Sequence, residues 1–332
     1  MNSFIKYHLN KYSQMTTQDI VKMLYQNHFG PGHFIKDLDF VNKYYYNELN
    51  NSQDNENDNL YEHIGNNFIR INIHKYKKLI NNNNNNNINI IINMFYNSSL
   101  IDYNNKELVS SFKQQLLKIK NDGFLDNYDF SNVHHSKIYN ELYNPHYRVV
   151  STKYLDLNLR IHQLQHYLDN IKEFSIIALE GKCASGKSTI SNNLKNVTII
   201  DVDEFFLRQE LKTKERLKEI GGNIDYDLYE QCLKTIKPNS TITYTIFDCQ
   251  TQTYKQKTIE IKDKVLLVGV YSYHHKVRKY IDKLAYLLID KDTQLQRLKQ
   301  RKMYLRFINE WVPMEEKYYN SFDFIGNCDI LI

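Results

Sequence analysis

Apolar residues recur every three or four positions at Leu157, Ile161, Leu164, Leu168 and Ile171, a spacing that predicts an amphipathic helix between Tyr154 and Lys172. The pattern then changes. Phe174 to Leu179 is a short unbroken apolar run of the kind a buried parallel strand requires, and Asn196 to Val202 is a second, β-branched run. Near the N-terminus, Ile20, Met23, Leu24 and Asn27 predict a helix from about Gln18 to His28, with Thr16 or Thr17 as its cap. The breaker sequence Phe29-Gly30-Pro31-Gly32-His33 must end that helix in a tight loop flanked by His28 and His33. Residues 51 to 59 are polar and turn-rich, and Asn81 to Asn87 is a homopolymer that cannot bury apolar area, so it reads as a surface insertion.

These patterns divide the chain into a mainly helical N-terminal domain over 1–150, a linking helix over 151–173 and an α/β domain over 174–332. A length of 332 residues accommodates two cores, and 42% hydrophobic with 24% charged residues fits folded, water-soluble domains. The net charge of +5 comes from basic residues interleaved with acids, which gives no support to a nucleic-acid partner. Cys183, Cys232, Cys249 and Cys328 show no close pairing, which argues against a zinc site or a disulfide framework. With no apolar run at the N-terminus and no stretch of about 18 apolar residues, the expectation is a cytoplasmic protein without a membrane partner. A homo-oligomer is compatible with the sequence.

Gly181-Lys182-Cys183-Ala184-Ser185-Gly186-Lys187-Ser188 satisfies GxxxxGK[ST] between a predicted strand and a helix beginning near Lys187. Low side-chain bulk at Gly181, Ala184 and Gly186 lets backbone N–H groups turn around phosphate oxygens, aided by the helix N-terminus. Lys187 is then expected to reach the β- and γ-phosphates of ATP and Ser188 to coordinate Mg²⁺, with Cys183, Ser185 and Thr189 completing the cradle. At the end of the second strand stand Asp201 and Asp203, which, alternating along a strand, would both face the γ-phosphate. One of them could accept the proton of an attacking hydroxyl.

From about Phe174 to Ile332 the sequence resembles the uridine kinase family of P-loop kinases, through GKCASGKST, VDEFFLR, GGNIDYDLYEQ, YTIFDCQTQTY, VLLVGVYSYHH and RFINEWVPMEEKYY. The resemblance implies a five-stranded parallel sheet, mapped to 174–179, 197–202, 264–270, 284–290 and 328–332. It implies that Asp203 is the catalytic base and a Mg²⁺ neighbour. It places Asp225 on the acceptor's ribose hydroxyls and Phe247 against its base. Arg297 and Arg301, four apart on a helix, would be lid arginines that neutralise transferring phosphate. Two positions depart from the family. Val268 stands where a carboxylate usually supports the Mg²⁺ shell, and Gln252 stands where a His reads the pyrimidine. The expected activity is transfer of the γ-phosphate to a small-molecule hydroxyl, with a nucleoside as the leading acceptor; a nucleotide-binding regulator or a kinase of another alcohol, such as pantothenate or a sugar phosphate, are the alternatives.

The N-terminal half resembles a domain of unknown role found ahead of such kinase-like domains, through LYQNHFGPGH, IGNNFIRINI and HSKIYNELYNPHYRVV. His28, His33, His134, His135 and His146 have no metal-motif spacing and read as structural. Tyr139, Tyr143 and Tyr147, at helical spacing, read as core, and Arg148 as a candidate anion contact.

Overall fold

The computed structural model describes residues 2–31, 35, 37–55, 58–82, 89–100, 105–119 and 133–332. His33 and most of the Asn81 to Asn87 run lie outside the described residues. The chain forms two compact units, Met1–His166 and Tyr167–Ile332. The division falls inside the helix Leu157–Asn170, which the apolar spacing anticipates.

In the N-terminal unit, the helix Thr17–Phe29 starts where Asp19 accepts hydrogen bonds from the Thr16 backbone N–H (2.9 Å) and hydroxyl (2.8 Å). It stops at Gly30, whose φ of 63° and the 2.8 Å approach of the Ser98 carbonyl to a Cβ built there both require glycine. Helices Ser3–Lys11, Leu38–Asn51, Asn89–Ser98 and Lys106–Leu116 accompany it. A small antiparallel sheet of order β1-β2-β3 joins them: β1 (Tyr61–His63), β2 (Phe68–Asn72) and β3 (Tyr147–Ser151). The sequence pattern does not reveal this sheet. All five residues of β2, including Arg70 and Asn72, are buried, so the polar-apolar alternation of a half-exposed strand is missing. Tyr139 and Tyr143 share the helix Lys137–Tyr143, but Tyr147 does not belong to that face: Asn144 takes a left-handed conformation, Pro145 follows, and Tyr147 opens β3. The helical-spacing reading of Tyr147 is therefore corrected.

The C-terminal unit is a parallel sheet of order β10-β9-β4-β8-β5 with flanking helices. Its strands are β4 (Ser175–Glu180), β5 (Thr198–Asp201), β8 (Lys264–Val268), β9 (Lys283–Tyr286) and β10 (Ile330–Leu331), the five segments expected. Every residue of β4 is buried because a central parallel strand is covered on both faces. Register pairs Leu179 with Val268 and Asp201 with Val268, which brings the carboxyl ends of β4, β8 and β5 to one edge, where open α/β sheets bind ligands. Strands β6 (Thr241–Asp248) and β7 (Thr253–Glu260) form a separate antiparallel hairpin that the apolar runs did not announce, since β7 is almost wholly exposed.

Leu266 is fully buried in β8 between β4 and β5. Leu266→Ala should therefore cost the C-terminal unit about 2–5 kcal/mol, read as an earlier urea transition; a cost under about 1 kcal/mol would contradict this placement.

Candidate active site at the carboxyl edge of the parallel sheet

The GxxxxGK[ST] segment leaves β4 at Glu180 and enters the helix Lys187–Ser191. Three residues bend the loop through positive φ: Gly181 at 151°, Ala184 at 61° and Gly186 at 106°. At Gly181 a Cβ would also lie 2.6 Å from the Leu287 carbonyl oxygen, so both space and conformation require glycine there. The Lys187 side chain folds back over the loop, its ammonium donating to the carbonyls of Gly181 and, at 3.1 Å, Lys182. The Arg297 guanidinium donates to the carbonyls of Ala184 (3.0 Å) and Ser185 (3.1 Å), bracing the loop from outside.

Against this loop opens a 260 Å³ cavity whose lining includes Cys183, Ala184, Gly186, Lys187, Ser188, Thr189, Asp201, Asp203 and Arg301. Gly181 and the buried Ser185 belong to the loop without lining the cavity. The two arginines do not share a helix face. Helix Lys291–Lys299 is capped by Gln300, so Arg297 goes to the loop while Arg301, beyond the cap, faces the cavity and sits 5.1 Å from the Phe307 ring. Likewise, Asp201 and Asp203 do not alternate along a strand. β5 ends at Asp201, whose carboxylate accepts the Asp203 N–H at 2.9 Å and caps the short 3₁₀ turn Val202–Phe205. Both still line the cavity.

Asp203 presents its surface to the cavity, yet protein crowds it closely, and burial followed by the neighbouring Asp201 charge pushes its carboxyl up to about 7. Lys187 and Arg301 pull the other way.

Several lining groups carry no distinctive spacing in the sequence. The helical segment 304–320 contains a π turn over Phe307–Trp311, which directs Phe307 and Trp311 into the cavity with Met314 and Glu315. Glu315 is buried, its carboxyl is raised by burial, and it accepts the Cys183 N–H at 2.9 Å, so one loop amide is already satisfied by an anion. Beneath the loop, Glu180 is fully buried and its carboxyl is likewise raised by burial; it accepts from the Tyr318 hydroxyl (2.7 Å), the Tyr319 hydroxyl (2.9 Å) and the Tyr273 N–H (2.9 Å). Asn223 lines the cavity with its side-chain oxygen buried and without a hydrogen-bond partner among the described residues. The signal for Glu180 was an acid closing an apolar strand, and that for Glu315 an acid inside the RFINEWVPMEEKYY stretch.

Asp225, Phe247 and Gln252 are not on the lining of this cavity. Asp225 caps the helix Tyr226–Thr235 by accepting the Leu228 N–H at 3.0 Å, although its own N–H donates to Phe205, beside the Asp203 turn. Phe247 is buried on the hairpin against Tyr254, and Gln252 sits in the hairpin turn with its amide on the Cys249 carbonyl. Val268 ends β8 paired with Asp201, and the acids that share the cavity lining with it are Asp201, Asp203 and Glu315. Among the described residues no group of three or more His, Cys, Asp or Glu side chains is arranged to hold a metal by itself. No helix among the described residues is long and apolar enough to cross a membrane.

No family model matches the chain. Over 154 residues it is 28% identical to the uridine kinase of Ureaplasma parvum serovar 3, covering 42% of this chain and 72% of that protein. Over 136 residues it is 29% identical to the uridine kinase of Macrococcus caseolyticus, covering 37% of this chain and 66% of that protein. A solved structure described as a possible uridine kinase from Bacillus stearothermophilus overlaps 52% of this chain and 97% of its own at 21% identity and a TM-score of 0.43.

Because the fold disfavours the charged Asp203 carboxyl, the folded chain holds that proton more tightly than the unfolded chain between the ordinary value of 3.8 and about 7. The stability attached to this group is therefore present below that window and lost as pH rises through it. Melting curves should show wild type losing ground to Asp203→Asn as pH rises from 5 towards 8; a constant difference between the two across that range would exclude a raised carboxyl.

Proposed function

We propose that this chain, which belongs through its P-loop half to the uridine kinase-like P-loop kinases, moves the γ-phosphate of ATP onto a hydroxyl of a nucleoside. The observation that carries the reading is the meeting, in one cavity, of the phosphate-loop residues Lys187 and Ser188 with Asp203, whose carboxyl is pushed up to about 7 by burial and the Asp201 charge. A base poised near working pH is what hydroxyl activation needs.

In this reading the triphosphate lies along the loop from Gly181 to Thr189, its charge met by backbone N–H groups, the helix N-terminus and the Lys187 ammonium. Lys187 then exchanges the Gly181 and Lys182 carbonyls for phosphate oxygens, and Glu315 gives up the Cys183 N–H. Ser188 and Asp203 would hold Mg²⁺, which when bound draws charge from the phosphates. The acceptor oxygen attacks the γ-phosphorus, a new O–P bond forms, and the bond to the β–γ bridging oxygen breaks, with its electron pair leaving on ADP. The acceptor's proton passes to Asp203, and Arg301, facing the same cavity, offsets charge on the transferring group, while Arg297 holds the loop in shape. Asn223, which lines the cavity with a side-chain oxygen unpartnered among the described residues, is a polar group available to the acceptor, whereas Asp225, at the start of helix Tyr226–Thr235, and Phe247 and Gln252, on the hairpin, would reach the acceptor only if those elements move towards the cavity.

Val268 favours a second reading, a nucleotide-binding regulator with little turnover, because the carboxylate expected at that strand end is missing. Calorimetry with MgATP beside a phosphotransfer assay over nucleosides and other alcohols separates the two; tight binding without product from any acceptor favours the regulator, and product only from non-nucleosides removes the nucleoside assignment. For the kinase, Lys187→Ala should weaken MgATP binding at least about a hundredfold. Asp203→Asn should bind MgATP within about threefold of wild type yet lower kcat at least about a hundredfold, and should remove the rise of activity with pH centred near 7. Equal loss of binding in both variants would contradict the roles given.

A further inference from the structure

The three stretches that distinguish the N-terminal half converge on one place. Gln26 from LYQNHFGPGH, Arg70 from IGNNFIRINI, and His135, Tyr147 and Arg148 from HSKIYNELYNPHYRVV form a connected polar cluster. Its core is a relay. Asp19, wholly buried, accepts from His135 Nδ1 at 3.0 Å, and His135 Nε2 meets the Tyr147 hydroxyl at 2.6 Å. Burial pushes Asp19 up, but hydrogen bonds from His135, Ser136 and Thr16 outweigh it and hold the carboxyl well below its usual range. Burial lowers His135 to about 3, so its ring is neutral. The proton inventory follows. Nδ1 donates to Asp19, Nε2 must accept, and the Tyr147 proton is therefore spent on His135, which leaves the phenolic oxygen as an acceptor that Lys22 and, at a long 3.4 Å, the Gln26 amide now occupy.

Tyr147 lines a 330 Å³ cavity, whose volume suits a small ligand. Two cations line it, Lys22 and Arg148, against one carboxylate, Glu48, since Asp19 lies behind the His135 ring and is not on the lining. Arg148 is 5% exposed. Its Nη1 donates to the Tyr147 carbonyl at 3.0 Å and pairs with Glu48 at 2.7 Å, and its guanidinium lies 5.4 Å from the Tyr44 ring and 5.5 Å from that of Phe95. The orientation is thus set, while Nη2 is buried without a hydrogen-bond partner among the described residues. A buried, oriented guanidinium nitrogen with nothing to donate to is costly unless a ligand supplies the acceptor. Phe40, Tyr44 and Phe95 give the cavity an apolar wall of ring faces.

We propose that this cavity is a second ligand site, separate from the nucleotide loop, for a small hydroxylated organic anion, a sugar phosphate or a sugar acid. The oxyanion lies on Arg148 and Lys22, a ligand hydroxyl displaces the long Gln26 amide contact at the Tyr147 oxygen, and the carbon skeleton packs on the aromatic wall. The hydroxyl requirement comes from the relay, because Asp19 and His135 turn Tyr147 from a donor into an acceptor.

The full-length chain carrying Lys187→Ala, which silences the nucleotide loop, is titrated calorimetrically with ribose 5-phosphate, ribonate, ribose and inorganic phosphate. One saturable site is expected for ribose 5-phosphate or ribonate, and which of them binds identifies the oxyanion. Uncharged ribose should bind at least about tenfold more weakly. Arg148→Lys and Lys22→Met should each weaken the sugar anion about tenfold or more, whereas Tyr147→Phe, which also removes a Lys22 partner, should weaken the sugar anion more than inorganic phosphate. Should Arg148→Lys fail to fold by circular dichroism, Lys22→Met decides alone, since Lys22 is only partly buried. Absence of saturable binding by both sugar anions, binding of inorganic phosphate alone, or affinity that survives Lys22→Met would each overturn the proposal.

Discussion

The C-terminal unit depends on a conflict resolved in a few residues: a fully buried strand must end abruptly and open into a loop that lines a cavity. β4 supplies the rigid base, and positive φ at Gly181, Ala184 and Gly186 makes the turn. Glu180 ties the turn down. Its carboxyl collects the Tyr318 and Tyr319 hydroxyls, which belong to the same helix that carries Glu315 into the cavity. Loop and covering helix are therefore joined by hydrogen bonds at three points, below the loop at Glu180 and on it at Gly181, whose N–H donates to the Tyr319 hydroxyl at 3.2 Å, and at Cys183.

Charge at the mouth of the loop is held in tension. Asp201, Asp203 and Glu315 all have carboxyls raised by burial, and Lys187 lowers each of them. Three acids beside one ammonium and one guanidinium leave the cavity short of positive charge for a triphosphate. Under the proposed phosphoryl transfer, a divalent cation or protonation of one acid would restore that balance. Val268 removes a fourth acid from this edge.

The parallel sheet was legible because its strands are short apolar runs placed before and after unmistakable loop chemistry. Lys187, Ser188 and Asp203 were legible for the same reason, since their spacing is imposed by backbone geometry. What was illegible is what packing decides. β2 is buried on both faces and so shows no alternation, and β7 is exposed on both and shows none either. Glu315 lines the cavity from a helix that follows a π turn, which no residue spacing announces, and Arg297 and Arg301 part company because the helix stops between them. The Asp19–His135–Tyr147 relay joins residues more than a hundred positions apart, where no local pattern can point.

Calorimetric titration of the full-length chain with MgATP and with adenosine tests most directly whether the loop after β4 grips phosphate. Affinity for MgATP at least about a hundredfold above that for adenosine is the predicted result, because the phosphates supply the binding. Equal affinities, or no binding of MgATP at all, would contradict it.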